Sequence, residues 1–211
     1  KINSAIRFSM IIAIPSAVGL TVLAEPVSNL LFSGMDNEML IRMMAVGSSA
    51  VVFFSLSTVS NAILQGLNRM QVPIINSAVA LGVHVAALYG MLRGLHLGIY
   101  SVVYANILFA ALVCILNAVS IARYTGYRQE FLRTFLIPCA ASAAMGGAAW
   151  GIHALCVKSV GNGISTAAAI GVAIVVYFLL LILLKGVNAQ ELLGMPGGAK
   201  VLAVARKMRL M

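Results

Sequence analysis

The chain has 211 residues, of which 62% are hydrophobic and 9% charged, whereas a soluble domain carries about 25% charged residues. Fourteen Lys and Arg against five Asp and Glu leave a formal net charge of +9, and so few acidic groups cannot cover a water-facing surface. This excludes a soluble enzyme. It also argues against nucleic acid as a partner, because the basic residues stand singly or in small groups between apolar runs rather than on one polar face.

A hydrocarbon core about 30 Å thick needs about 20 apolar residues as helix, and lipid forces each spanning segment to satisfy its own backbone polar groups. Six segments meet that demand: 8–31, 45–67, 72–92, 97–121, 131–157 and 164–184. The fold class expected is therefore all-α, a polytopic membrane protein with six transmembrane helices. The chain opens on Lys1-Ile2-Asn3, and Arg7 leads into the first apolar run with no small-residue cleavage site, so it reads as a piece of a longer protein.

In chain order, the first segment holds Pro15, a kink position because proline removes a backbone donor. Pro26, beside Glu25, marks its outer end, and 36–44 is an interfacial stretch before the second segment. That second segment carries Ser57, Asn61, Gln65 and Asn68 at steps of four, four and three, which is one helix face. Such a stripe either lines a water-filled cavity or hydrogen-bonds neighbouring helices. Across the short hairpin from Asn68 to Gln71, the third segment adds Asn76 to the same region and His84 near its middle; an ionisable residue at that depth is a functional candidate.

Asn106 and Asn117 share a face of the fourth segment. The fifth contains Pro138, and its Gly147-xxx-Gly151 spacing suggests close helix packing. Gly161-Asn162-Gly163 reads as a tight turn before the sixth segment. Beyond the lobe at 1–185, residues 186–211 form a basic amphipathic tail suited to the anionic inner leaflet.

With the start of the chain inside, eleven of the fourteen basic residues fall on the cytoplasmic side. The positive-inside rule thus places both ends of the chain in the cytoplasm. Cys114, Cys139 and Cys156 all lie in apolar segments without CxxC spacing, which indicates neither a disulfide framework nor a metal site. No phosphate loop, HExxH, nucleophile elbow or spaced carboxylate pair is present, so neither catalysis nor a cofactor is expected. The candidate substrate-binding residues are Ser57, Asn61, Gln65, Asn68, Asn76 and His84.

Two sets of residues carry a family resemblance. The first is Ile14-Pro15-Ser16-Ala17-Val18-Gly19-Leu20 with Pro26 and Leu30-Leu31-Phe32; the second is Ile63-Leu64-Gln65-Gly66-Leu67-Asn68-Arg69 followed by Val72-Pro73-Ile74-Ile75-Asn76. In these the chain resembles the C-terminal half of the polysaccharide-exporter branch of the multidrug/oligosaccharidyl-lipid/polysaccharide flippase superfamily. Within that branch it looks like the stage V sporulation protein B group, related to lipid II flippases.

The resemblance implies one lobe of a two-lobed, multidrug and toxin extrusion (MATE)-like transporter in the bacterial cytoplasmic membrane. Its partners would be membrane lipids, a lipid-linked sugar substrate, and an N-terminal lobe of the same parent chain. The implied function is alternating access that moves a lipid-linked oligosaccharide or peptidoglycan precursor outward, for envelope or spore-cortex synthesis. Competing readings are the second lobe of a multidrug and toxin extrusion antiporter, or a non-transporting membrane scaffold. Ion-coupled antiporters commonly bury a carboxylate, and no Asp or Glu lies deep within a span here.

Overall fold

In the computed structural model, which describes residues 2–32, 37–127 and 130–184, helix is the one regular structure among the described residues. The expected tail at 186–211 lies outside them. Helix α1, Ile2–Val22, begins before the apolar run proper. Its first turns are tied down: the Tyr127 hydroxyl donates to Asn3 Oδ1 at 3.0 Å, and Arg7 is buried. Burial, and then the Glu130 carboxylate, push the Tyr127 phenol above its usual range. At the other end, Pro26 cannot bond back to Val22, and its ring crowds that carbonyl. The helix therefore stops at Val22 and resumes as α2, Ala24–Leu31, splitting the single segment expected at 8–31.

The stretch expected to be interfacial is helical from Glu38. Helix α3, Glu38–Gly47, passes through Ser48 into α4, Ser49–Gly66, and the two read as one candidate crossing. Helices α5, Gln71–Arg93, and α6, Tyr100–Thr125, fall close to their expected positions. Asn68, with φ 58°, turns the chain between α4 and α5; asparagine tolerates this left-handed geometry better than most residues. Gly126 ends α6 at φ 64° with its N–H on the Ala122 carbonyl, a left-handed C-terminal cap.

Before Pro138 the chain makes a π turn, Leu132–Leu136, in which the Ile137 N–H reaches back five residues to Leu132. Helix α7 follows, Ile137–Leu183, interrupted at Gly161 (φ 79°, ψ 170°). The expected turn at 161–163 is thus one residue wide. A straight helix would separate His153 and Asn162 by about 13 Å along its axis, yet their side chains meet at 3.0 Å. The arms of α7 fold back on each other at this point. Among the described residues, five helices are long and apolar enough to cross a membrane, with Leu132–Leu183 counted as one.

The helices pack as a row, α5 on α6, α6 on α4, α4 on α1 and α1 on α7. Helix α1 is central because it buries two faces. Ile6, Met10, Ala13 and Ile14 meet Val52, Leu56, Val59 and Ile63 of α4. Ile11 joins Ala141, Met145 and Ala149 of one α7 arm and Ala169, Ala173, Tyr177 and Leu181 of the other. Close approach of α1 to α7 depends on Gly146, where an added Cβ would sit 3.0 Å from Val18 and 3.2 Å from Val22. The small-residue contact is therefore at Gly146; at Gly147 and Gly151, the pair the spacing suggested, a Cβ would meet open space.

Pro15 lies within α1. Having no N–H, it leaves the carbonyl four residues back, that of Ile11, without its helical donor. The Tyr177 hydroxyl fills that vacancy, donating to the Ile11 carbonyl at 2.6 Å from the far arm of α7. Tyr177→Phe would strip this buried carbonyl of its partner and should cost about 1–3 kcal/mol. Unfolding in mixed micelles checks this. In a Pro15→Ala background the restored N–H should remove most of the loss, and an equal loss in both backgrounds would refute the pairing.

Candidate functional site

The amide side chains of three helices converge in the half of the row that holds the α4–α5 turn. Asn117 on α6 is fully buried, at 0% exposure. It lies on the α6 face shared with Ser120, one turn on, and both turn toward α4 and α5. Asn76 Nδ2 donates to Asn117 Oδ1 at 2.9 Å and to Ser120 Oγ at 3.3 Å. Asn117 Nδ2 donates to Asn61 Oδ1 at 2.6 Å and, at 3.5 Å, to Ser60 Oγ. The three amides run head to tail, so reversing any one of them would set donor against donor or acceptor against acceptor.

The six residues singled out by sequence therefore part company. Asn61 and Asn76 come together through Asn117. Ser57 is buried but bonds within its own helix, to the Phe54 carbonyl at 2.9 Å. Gln65 and Asn68 are exposed at the end of α4 and in the turn beyond it. The His84 ring packs 5.8 Å from Phe109, with a buried Nε2 that has no hydrogen-bond partner. Asn106 is exposed, so the face it was expected to share with Asn117 does not bring the two to one site.

The hub residue Asn117 was visible only as half of that pair, and Ser60 and Ser120 were not singled out at all. The signal that could have found them is the cluster Ser57, Ser60, Asn61 on one helix opposite Asn117 and Ser120 on another.

The relay contains no ionisable group, so its geometry is indifferent to pH. Among the described residues, no three His, Cys, Asp or Glu side chains gather where a metal could bind. A cavity of about 200 Å³ lies against the relay, bounded by Ser60, Leu56, Cys114 and Tyr127. A larger apolar groove, about 770 Å³, runs between α1 and the arms of α7, from Phe8 and Phe178 to Leu23 and Val27. None of the six predicted residues lines that groove.

The arrangement chiefly binds α4, α5 and α6 to one another, since interhelical hydrogen bonds in membranes are worth about 0.6–2 kcal/mol each. Asn117→Ala should destabilise the protein more than Asn61→Ala or Asn76→Ala alone. The double change Asn61→Ala/Asn117→Ala should cost less than the sum of its singles. Strictly additive losses in mixed-micelle unfolding would mean that the amides do not act together.

No protein-family model, curated protein or solved structure matches this chain.

Proposed function

We propose that the chain is one lobe of a bacterial cytoplasmic-membrane flippase that carries a lipid-linked sugar precursor outward by alternating access. In this reading the arms of α7 are separate crossings, giving six, with both chain ends inside. Leu132–Leu183 spans 52 residues. As one straight helix it would extend about 78 Å, against a core of about 30 Å, and the Gly161 reversal supports two crossings instead.

The observation that carries the reading is the α4–α5 hairpin. The residues of the resemblance, 63–69 and 72–76, form its turn with Asn68 in left-handed geometry, and its amides are latched to α6. Ser57, Asn61 and Asn76 then set the shape of the hairpin, while Gln65 and Asn68 are the groups free to face a substrate headgroup. The acidic residues at 25, 36, 38, 130 and 191 all stand outside the interiors of the spans, which favours this reading over a cation antiporter. The cationic hosts that a pyrophosphate needs belong to the other lobe.

The test is the full-length parent gene in a strain depleted of its own lipid II flippase, scored by growth and by externally accessible precursor. Rescue with exposed precursor is expected. Gln65→Ala should lower rescue about tenfold at normal membrane abundance, whereas Asn61→Ala should lower abundance itself, as loss of a buried bond does. Good membrane expression with no rescue, joined to resistance against cationic drugs, would hand the chain to the extruder reading.

A further inference from the structure

A second polar constellation lies where the α1–α2 break meets the Gly161 turn of α7. A cavity of about 600 Å³ opens there, walled by Leu23, Glu25, Asn29, Trp150, His153 and Asn162, a size suited to a small ligand. Asn162 is its structural latch: Nδ2 donates to the Pro26 carbonyl at 2.9 Å, which can only accept. That fixes the amide so that Oδ1 faces His153 Nε2 at 3.0 Å and the Thr166 hydroxyl at 3.3 Å. His153 must therefore carry its proton on Nε2, and in the neutral ring Nδ1 is left as an acceptor. A tryptophan at a membrane interface needs no ligand. The aromatic belt does not, however, account for a cavity that sets this ring beside a carboxylate, a second amide and an imidazole acceptor.

We propose that this cavity binds the saccharide headgroup of a membrane glycolipid. One indole face stacks on the C–H face of a sugar ring, while Glu25, Asn29 and His153 Nδ1 meet its hydroxyls. A cation site of the usual kind encloses its charge with several Trp, Tyr or Phe rings, and among the described residues this wall carries one such ring, that of Trp150. Attachment to a lipid, rather than free sugar, rests on the apolar groove next door: the buried Leu23 side chain stands on the wall of both cavities, so the acyl chain of a headgroup bound here would lie against that groove. The inference rests on the sugar-lipid reading of the chain and deepens it by placing a headgroup site at the predicted outer end.

Trp150 is the only tryptophan in the sequence, so emission excited selectively at tryptophan, apart from the six tyrosines, reports this position. The full chain in phosphatidylcholine nanodiscs is titrated with monoglucosyldiacylglycerol in the disc, with soluble N-acetylglucosamine, and with tetraethylammonium. A saturable change in Trp150 emission with the glycolipid, reversed by soluble sugar, is the expected result. Asn29→Ala, which alters an exposed side chain, and His153→Ala should each weaken the response about fivefold to tenfold, with helix content unchanged. Silence toward both sugars in folded protein, or a response confined to tetraethylammonium, would overturn the site. A response to soluble sugar alone would overturn the glycolipid assignment. Failure here beside rescue of the flippase-depleted strain would sink the cavity and leave the transport reading standing.

Discussion

A carbonyl without a donor is tolerable in water and costly in hydrocarbon, and Pro15 creates one in the middle of the helix on which the others depend. Helix α1 touches α4 on one side and both arms of α7 on the other. The hydroxyl of Tyr177 completes the Ile11 carbonyl, so the same contact that repairs α1 also fixes the height of the second α7 arm against it. In lipid, helices gain little by hiding apolar surface from one another, and association rests on close packing and a few hydrogen bonds. One bond with a defined donor and acceptor, set beside the tight fit at Gly146, can therefore define a register that leucines alone would leave free to slide.

The other half of the row is held differently. There the residues between α4, α5 and α6 are amides, and Asn117 serves both neighbours at once because one amide can accept from one side and donate to the other. A hub of this kind resists rotation of any of the three helices about its axis, since each amide is fixed by its partners as well as by its own backbone. Two short hydroxyl links, Ser9 to Ser55 and Thr21 to Ser48, join this half to α1. The row is thus continuous in polar contacts from α5 to α7, although nearly everything around them is apolar.

Much of the helical layout was legible because apolar length is a strong signal: α5 and α6 fall close to where hydropathy places them. The short turn at Asn68 between α4 and α5 was legible as a polar break between two apolar runs. The break at Leu23 was less so, because Pro26 acts on a carbonyl four residues earlier, and hydropathy does not register missing donors. Small-residue spacing pointed to Gly147 and Gly151, whereas the neighbour at Gly146 makes the approach; spacing gives a period but not a phase. For the candidate site, the stripe on α4 was correctly polar, but which of its members look inward depended on Asn117, a residue on another helix and far along the chain. The His153–Asn162 latch was hidden for the same reason, since it exists only once the chain reverses at Gly161.

The order of helices in the row differs from their order in the chain, and this has a temporal side. Helix α1 emerges before α7, and the side chain that completes it lies 166 residues downstream. At ribosomal speeds of about 5–20 residues per second, that is a delay on the order of 10–30 s. Through that interval the Ile11 carbonyl must borrow a donor from water at the insertion site, from lipid headgroups, or from an assisting protein. Until the far arm of α7 is made, α1 thus carries a vacancy, so the packing of the first helix described waits on a residue of the last one described.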